Sequence, residues 1–351
     1  MSEMSSQKIV QKTIFDLQTG QEISGKQAEQ VFELIMQGEA SQAQIGALLL
    51  GLSIRGESAE IVAGAARAMR SAATHIHPES EGLLDTCGTG GDGSSTFNIS
   101  TAVSIVVAAC GQSVAKHGNR AMSSKSGAAD VLEALGVKLD LSPEKVASCI
   151  DEVGIGFLFA PNHHPAMRHA GPVRRELGIR TVFNLLGPLT NPAAAEYQLL
   201  GVYSSEKLEL VADALKQLGI KRALVVHGRD GLDEITTTGI TDAYLIEEGC
   251  DIEPFEVDPS AFGMPFATAE ALKGGDAAFN AEIIKHIFAG QQGAARDIVL
   301  LNAGAALWVT RRAESIGEGI GIAAAAIDTG KATQTLESLA RFTQQASPST
   351  T

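Results

Sequence analysis

The sequence predicts an α/β protein in which a small all-helical domain precedes a larger domain with a mostly parallel central sheet. Up to about residue 78 the apolar residues recur only at helical spacing. From Leu83 onward, short apolar runs alternate with helical runs, which is the pattern of parallel strands joined by helices. A chain of 351 residues is also long enough for two domains. The predicted division is a helical domain at residues 1–80 and an α/β domain at residues 81–351.

The N-terminal domain shows three helical runs with recognisable starts. Ser24 with Gln27 and Ser41 with Gln44 have the spacing of capping boxes, and Ser58 opens the third run. The runs themselves cover residues 28–36, 45–54 and 59–72.

Six short apolar runs predict the strands of the second domain. The helices between them have clear ends: Ser142 is an N-cap with Pro143 at the first helical position, and Gly154 ends that helix. The last part of the chain, Ala281 to Gln344, is alanine-rich and mainly helical in this prediction. The predicted strands are Leu83–Thr86, Ser113–Ala115, Ile155–Phe159, Tyr197–Tyr203, Ala223–His227 and Ala243–Glu247.

The composition is that of a globular enzyme and excludes some classes of partner. The net charge of −14 argues against non-specific nucleic-acid binding, and it means that local basic residues must attract any anionic substrate. No apolar run approaches the roughly 18 residues of a membrane span, and the N-terminus lacks the apolar core of a signal peptide. Four scattered cysteines without C-x-x-C spacing indicate reduced thiols. We therefore expect a cytoplasmic protein with no membrane partner.

A glycine-rich loop at residues 85–93 is the most informative motif. It follows a predicted strand and contains Gly88, Gly90, Gly91 and Gly93. Without Cβ atoms, such a loop lets backbone N–H groups approach an oxyanion closely. A predicted helix follows, so the loop lies at a helix N-terminus, where negative charge is favoured. The loop therefore predicts a phosphate site.

The same loop satisfies the dinucleotide fingerprint G-x-G-x-x-G, but the rest of that site is missing. A dinucleotide site needs an acidic residue about 20 positions further on. Lys116 and His117 stand at the corresponding place, and Asp92 in the loop would repel a bare pyrophosphate unless a metal or a ribose hydroxyl intervenes. No Gly-Lys-Ser/Thr closes the loop either, which excludes a P-loop.

Three further segments add basic and hydroxyl groups near this loop. Residues 96–101 place several hydroxyls and an amide at the helix start, more than one N-cap requires. Residues 116–120 follow the next strand and supply two cations and an amide, and residues 123–128 carry small hydroxyl side chains. Together these segments predict a pocket for a phosphorylated, and specifically a pyrophosphorylated, ligand.

A second group of candidates follows the third predicted strand. His163 and His164 come soon after that strand, where α/β folds place ligands. Arg174 lies further along, and its planar guanidinium could bind a carboxylate in a bidentate manner or simply be solvated. Residues 184–192 fit either a turn that lines the site or an ordered connection.

Asp233 and Glu234 are the candidate metal ligands. They follow the strand Ala223–His227 and the turn at residues 228–231. Magnesium binds one or two protein carboxylates and completes its coordination with water and substrate phosphate. Beside a pyrophosphate pocket, the magnesium interpretation is favoured over a solvated acidic turn.

The chain resembles the anthranilate phosphoribosyltransferase family of tryptophan biosynthesis, over nearly its whole length and with the motifs in the same order. The motifs that carry the resemblance are Gly88–Asp92, Asn98–Thr101, Lys116–Arg120, His164–Met167, Asn184–Pro192, Asp233-Glu234, Gly274–Asp276, Asn280-Ala281 and Asn302-Ala303.

The resemblance implies a type III phosphoribosyltransferase fold, similar to that of nucleoside phosphorylases, and a homodimer formed through the helical domain. It also implies that helices near residues 170–195 join that domain. By resemblance, Ser100, Asp233 and Glu234 hold magnesium, with two ions in each monomer, and anthranilate contacts Gly88, His117, Asn119, His164, Arg174 and Gly187. The positions implied for phosphoribosyl pyrophosphate are Gly88, Gly91, Asp92, Thr96, Asn98, Ile99, Ser100, Thr101, Lys116, His117, Gly118, Asn119, Arg120, Ala121, Met122, Ser123, Ser124 and Ala128.

The implied reaction is attack of the anthranilate amine on C1 of the ribose while pyrophosphate leaves. An oxocarbenium-like transition state makes positioning and charge stabilisation more important than a strong base. No residue is an obvious acid, base or nucleophile in the sequence. Two rival functions remain to be compared: a pyrimidine nucleoside phosphorylase, and a non-catalytic nucleic-acid-binding homologue, which the negative charge and the intact motifs oppose.

Overall fold

The computed structural model describes residues 6–121 and 125–346, which form fifteen α-helices and seven β-strands. The helices are α1 (Ser6–Thr19), α2 (Gly25–Gln37), α3 (Gln42–Arg55), α4 (Ala59–Ser71), α5 (Ile99–Ala109), α6 (Ala128–Ala134), α7 (Pro143–Val153), α8 (Ala160–His163), α9 (Met167–Leu177), α10 (Phe183–Leu186), α11 (Leu208–Gln217), α12 (Ala277–Phe288), α13 (Ala294–Val309), α14 (Ile316–Asp328) and α15 (Lys331–Ala346). The strands are β1 (Leu84–Gly88), β2 (Val114–Gly118), β3 (Ile155–Phe159), β4 (Tyr197–Gly201), β5 (Arg222–Gly228), β6 (Thr241–Glu247) and β7 (Glu253–Val257).

The strands form one mixed sheet in the order β3-β2-β1-β4-β5-β6-β7. The first five strands are parallel, and β6 and β7 continue the sheet as antiparallel neighbours. The predicted α/β class with a mostly parallel sheet is therefore confirmed. Strand β7 was not predicted from the sequence, because its residues are mostly exposed at the sheet edge and include a proline and two glutamates.

Apolar side chains alternate between the two faces of the sheet. Leu199 and Leu224 pack on one face with α5 and with helices from the C-terminal third. Leu200 and Val225, one position further along the same strands, pack on the opposite face with α11 and the N-terminal helices. This alternation is what the period of two in a strand requires when both faces are covered.

The N-terminal helices pack together with α9 and α10, which come from the middle of the chain. The ring of Phe32 in α2 meets the ring of Phe183 in α10 edge-on, with ring centres 5.6 Å apart. Val173 of α9 belongs to the same buried cluster. Arg174, the one predicted anthranilate contact on α9, is thereby held against the helical part of the molecule.

The helix starts follow the predicted capping with one exception. Ser41 and Gln44 form both bonds of a capping box. Ser24 accepts from the Gln27 backbone N–H, but the Gln27 side chain donates to Thr13 and Asp16 of α1 instead, so the reciprocal half of that box was wrong. The tertiary contact with α1 replaces the local bond. Among the described residues, no helix combines the length and apolar composition needed to cross a bilayer.

Candidate active site

The glycine loop connects β1 to α5 and is tied to the end of β4. The Thr89 N–H donates to the carbonyl of Gly201 at 2.9 Å, and the Tyr203 N–H donates to the Thr89 hydroxyl at 3.0 Å. Gly90 has a φ of +66°, and its N–H donates to the Asp233 carboxylate at 2.7 Å. The carboxyl ends of β1 and β4 and the loop after β5 therefore meet at one place, where parallel sheets bind ligands.

Asp233 lies in the loop after β5, where the negative charge of its carboxylate is unfavourable. Burial among protein atoms raises the pKa of its carboxyl to about 7, and the negative charge of Asp92 adds to the effect. The Oδ2 atom of Asp92 is buried without a hydrogen-bond partner among the described residues. Two acidic groups thus lie side by side, and each raises the energy of the other's charged form.

Glu234 lies next to Asp233 and faces the N-terminus of α5. Its Oε1 atom accepts from the Ser100 N–H at 3.2 Å, so Glu234 caps the helix that Asn98 does not cap through its side chain. Burial raises the pKa of Glu234 to about 8, and the neighbouring charge of Asp233 raises it further. The structure brings together Ser100, Asp233 and Glu234, the three positions that the resemblance implies for magnesium.

This arrangement fits a hard divalent cation. Crowded carboxyls with raised pKa values gain most from a positive charge, and the chain supplies oxygen donors, which Mg²⁺ prefers. In the described part of the chain, no group of three or more His, Cys, Asp or Glu residues could hold a metal by itself. Asp233 and Glu234 would therefore form a partial site that water and substrate phosphate complete.

Lys116 lies beneath the loop. Strand β2 extends through Lys116 and His117 to Gly118, so these residues lie within the strand and not after it. Lys116 is 2% exposed, and its ammonium group donates to the Thr86 carbonyl at 2.7 Å. Burial lowers the pKa of Lys116, whereas the negative charges of Asp85 and Glu234 raise it. In this arrangement the positive charge of Lys116 offsets the negative charges of Asp85 and Glu234. Its direct contact with a phosphate stays a prediction.

Asp85 is a buried partner in β1 that sequence reasoning did not identify. Its carboxylate accepts from the His117 N–H at 3.1 Å and from the Asn191 amide at 2.8 Å. Burial raises its pKa, and the charge of Lys116 opposes that rise. Asp85 thus fixes His117 on β2 and Asn191 in the segment that follows α10. A charged residue inside an otherwise apolar strand was the available signal.

The start of α5 is fixed by hydrogen bonds between Asn98 and two distant segments. The Asn98 amide nitrogen donates to the Ser126 carbonyl at 3.2 Å, and its oxygen accepts from Asn280 of α12 at 2.9 Å. Ile99 and Thr101 are buried, so these two residues contribute to packing. The predicted group at residues 96–101 thus combines possible ligand contacts with packing.

Asp130 anchors the segment that follows β2, and sequence reasoning did not identify it as part of the site. The Asp130 carboxylate accepts from the Ala121 N–H at 3.0 Å and from the Gly127 N–H at 2.8 Å, and so joins both ends of the segment to α6. The Arg120 guanidinium also bonds to Asp130 and lies over the ring of Phe159. Ala128 begins α6. The predicted ligand positions Met122, Ser123 and Ser124 lie outside the described residues.

Two neutral histidines form one wall of the predicted acceptor site. The rings of His117 and His164 lie with centres 5.1 Å apart. Burial and the neighbouring rings lower the pKa of His117 to about 3 and that of His164 to about 4. Backbone bonds with Gly187 and Thr190 engage the rings, whereas both Nε2 atoms are buried without a hydrogen-bond partner among the described residues. Each ring therefore keeps one nitrogen whose hydrogen-bonding capacity is unused in the described part of the chain.

Arg174 on α9 is the predicted carboxylate-binding residue. It is half-buried, and its guanidinium carbon lies 5.0 Å from the centre of the Phe183 ring. Burial lowers its pKa. No carboxylate among the described residues pairs with it. A half-buried guanidinium stacked on an aromatic ring and lacking an acidic partner fits the carboxylate of a ligand.

Comparisons with known proteins agree with this geometry. Residues 80–333 match a family described as the α/β domain of a glycosyl transferase family, and residues 11–73 match the helical bundle domain of the same family.

Two relatives that share one enzyme name align with nearly the whole chain. An anthranilate phosphoribosyltransferase of Acetivibrio thermocellus is 50% identical over 335 residues, which are 95% of this chain and 97% of the relative. The enzyme of that name from Brevibacillus brevis is 54% identical over 318 residues, which are 91% of this chain and 93% of the relative.

Solved structures show the same fold. The anthranilate phosphoribosyltransferase of Thermus thermophilus superposes with a TM-score of 0.89 at 44% identity, covering 96% of this chain and 99% of that structure. The Saccharomyces cerevisiae enzyme, in complex with phosphoribosyl pyrophosphate and magnesium, has a TM-score of 0.89 at 27% identity and covers 96% of this chain and 98% of that structure. Since half of its residues are shared over nearly the full length and the fold is the same, the chain belongs to the anthranilate phosphoribosyltransferase family.

Proposed function

We propose that this protein transfers the phosphoribosyl group of phosphoribosyl pyrophosphate to the amine of anthranilate, in tryptophan biosynthesis. The products are N-phosphoribosylanthranilate and pyrophosphate. The observation that carries the proposal is the combination of two features of opposite charge on the two sides of the site. The buried carboxyls of Asp233 and Glu234 crowd together beside the glycine loop, which raises their pKa values, and the half-buried guanidinium of Arg174 on α9 pairs with no carboxylate of the described residues.

The donor side of the site binds and orients the diphosphate. Backbone N–H groups of the glycine loop would hold its oxygens, because a loop without Cβ atoms lets an oxyanion approach closely, and the N-terminus of α5 favours the negative charge. Asp233 and Glu234, with Ser100, would hold magnesium, which neutralises the charge of the departing diphosphate when it is bound. Lys116 balances the carboxylates from beneath.

The acceptor side orients anthranilate. Arg174 would bind the anthranilate carboxylate and thereby direct the amine toward the ribose. The Nε2 atoms of His117 and His164 carry lone pairs when the other ring nitrogens donate to the backbone, so they can accept hydrogen bonds from the amine. The amine nitrogen forms the bond to C1, and the bond from C1 to the pyrophosphate oxygen breaks with its electron pair. Rate enhancement then comes from positioning and charge stabilisation.

The remaining residues of the proposed site line these two halves. For phosphoribosyl pyrophosphate we propose the positions named above from the resemblance, including Thr96, Gly118 and Asn119, and for anthranilate also Gly88, Asn119 and Gly187. Arg120 is the least supported of them, since its guanidinium is engaged by α6.

We also propose two magnesium ions for each monomer and a homodimer formed through the helical domain. Large apolar side chains exposed on α1 and α3 support that contact: Phe15 is 55% exposed and Ile54 is 75% exposed. Sedimentation of the purified protein would test the dimer. A cytoplasmic location and the domain division at residues 1–80 and 81–351 complete the proposal.

The function is tested by the loss of anthranilate fluorescence. The purified protein should consume anthranilate only when phosphoribosyl pyrophosphate and magnesium are both present, and a chelator should stop the reaction. No loss at high protein concentration would contradict the proposal. A parallel incubation with a pyrimidine nucleoside and inorganic phosphate tests the phosphorylase alternative, in which free base would be released.

A further inference from the structure

Arg180 connects the segment that carries the acceptor residues to the glycine loop. It lies between α9 and α10, and its Nη2 atom donates to the Gly91 carbonyl at 2.5 Å. The two residues are 89 positions apart in the chain. Arg180 forms no ion pair with a described residue, so its charge is directed to this peptide group.

Both ends of Arg180 are fixed. Its guanidinium carbon lies 4.2 Å from the centre of the Tyr203 ring, an ordinary distance for a guanidinium stacked on an aromatic face. Tyr203 is itself tied to the loop, because its N–H donates to the Thr89 hydroxyl. On the other side, the Arg180 carbonyl accepts from the Ser53 hydroxyl of α3 at 3.4 Å. The side chain therefore spans from the helical part of the molecule to the loop.

The bond to Gly91 sets the direction of the next peptide N–H. A trans peptide is planar, so the Asp92 N–H points opposite to the Gly91 carbonyl. Gly91 has a φ of +78° and no side chain to restrict it, so the orientation of this peptide depends on its bonds. Arg180 holds the carbonyl on its own side of the loop and thus directs the Asp92 N–H away from itself.

We propose that Arg180 is a positioning residue that, with Tyr203, orients the Gly91–Asp92 peptide for the diphosphate of the donor. The inference rests on the proposed function, in which this loop binds the diphosphate. This positioning role differs from simple electrostatic attraction of the diphosphate by Arg180. Positioning requires the Tyr203 ring as well as the positive charge of the arginine. It also differs from the role of Arg174, since it acts on the donor and not on the acceptor.

The test compares three variants in steady-state kinetics. Arg180→Met should raise the KM for phosphoribosyl pyrophosphate about tenfold, which is the lower end of the effect expected when a charged hydrogen bond is lost. The same variant should change the KM for anthranilate less than twofold. Tyr203→Leu, which keeps the arginine, should raise the same KM several-fold. Arg341→Met removes the same group from an exposed position on α15 and should change neither KM.

Three kinetic results would overturn the inference. They are equal effects of Arg180→Met and Arg341→Met, equal increases of both KM values in Arg180→Met, and an unchanged donor KM in Tyr203→Leu.

A second measurement does not depend on activity. Amide hydrogen exchange of residues 88–93 in the unliganded protein should be faster in Arg180→Met than in the wild type and in Arg341→Met. Unchanged exchange would overturn the inference even if the enzyme is active. A wild-type protein without turnover would instead contradict the proposed function, and the exchange experiment would still report whether Arg180 holds the loop.

Discussion

The carbonyl oxygen of Asp233 lies 1.5 Å from the position that a Cβ would occupy on Gly201. The carboxylate of the same aspartate lies 2.3 Å from the corresponding position on Gly88, at the end of the neighbouring strand. Both distances are far below a van der Waals contact. The ends of β1 and β4 therefore need glycine because Asp233 crosses both of them, and any side chain there would displace the candidate metal ligand.

A Gly201→Ala substitution should therefore damage the metal site. The added methyl group must move the Asp233 backbone, so we expect a higher magnesium concentration for half-maximal activity and a free energy of unfolding lower by about 1–3 kcal/mol. Gly321→Ala on α14 is the matched control, because no atom lies within 4 Å of its added Cβ. The control should keep its magnesium dependence and gain up to about 1 kcal/mol of stability. Magnesium titration and urea unfolding would check both, and similar behaviour of the two variants would contradict the assignment.

The carboxyl pair should destabilise the protein when magnesium is absent. The pKa values of about 7 for Asp233 and about 8 for Glu234 lie above the ordinary values of 3.8 and 4.5. The unfolded chain therefore loses these protons first, and native stability falls as the pH rises from about 4 to about 8. At pH 8 without magnesium, the double variant Asp233→Asn with Glu234→Gln should therefore have a free energy of unfolding higher by roughly 2 kcal/mol. This value is smaller than the pKa shifts alone would give, because solvent reaches both carboxyls and screens their charges.

Magnesium should reverse this difference. Added magnesium should stabilise the wild type more at pH 8 than at pH 5, because protons compete with the metal for the same carboxyls. The double variant should show no such gain and should lose turnover. Equal stabilisation of both proteins by magnesium, measured by urea unfolding, would place the metal elsewhere.

Local motifs explain why the proximity of several candidate donor-site segments could be predicted. The glycines, the residues at the start of α5 and the Asp233-Glu234 pair are each contiguous in sequence. Each carries its chemistry in the residue types themselves: flexible backbone, helix start or hard oxygen ligands. The strand-to-helix order then places them at the same edge of the sheet, as the structure confirms for Gly90, Ser100, Asp233 and Glu234.

Contacts between distant residues could not be predicted in this way. The bond between Arg180 and Gly91 and the bond between Asn280 and Asn98 join residues 89 and 182 positions apart, and nothing local in either segment indicates its partner. The burial of Lys116 could not be predicted either. A lysine after an apolar run indicates the end of a strand, and nothing near it in sequence shows that Asp85 on another strand balances its charge. Tertiary pairing allows that charge to remain inside the sheet.

Arg174 should act on the acceptor alone. Removing its guanidinium in Arg174→Ala deletes a charged hydrogen bond worth about 1.5–3 kcal/mol, so the KM for anthranilate should rise about 10-fold to 100-fold. The KM for phosphoribosyl pyrophosphate should change less than twofold. Arg174→Lys keeps the charge but loses the planar pair of donors, so it should recover only part of the affinity. Initial rates with each substrate varied would check this, and equal increases of both KM values would remove Arg174 from the acceptor site.

The histidine wall should make the protein less stable in mild acid. The pKa values of about 3 for His117 and about 4 for His164 lie below the ordinary value of 6.5, because burial disfavours the charged ring. Between pH 6.5 and pH 4 the unfolded chain binds protons that the native state does not, so their contribution to stability is complete above pH 6.5 and is lost as the pH falls. At pH 5 the loss should be about 2 kcal/mol for each ring.

The double variant His117→Asn with His164→Asn isolates this effect. It should start from a different stability, since two packed rings are replaced, but its free energy of unfolding should fall less than that of the wild type between pH 7 and pH 5. Comparing the pH dependence of the two proteins cancels the packing difference and the titration of groups that both retain, including His163. Parallel curves in urea unfolding would mean that the rings are protonated in the native state. In that case they could not supply the lone pairs that the proposed site offers to the amine of anthranilate.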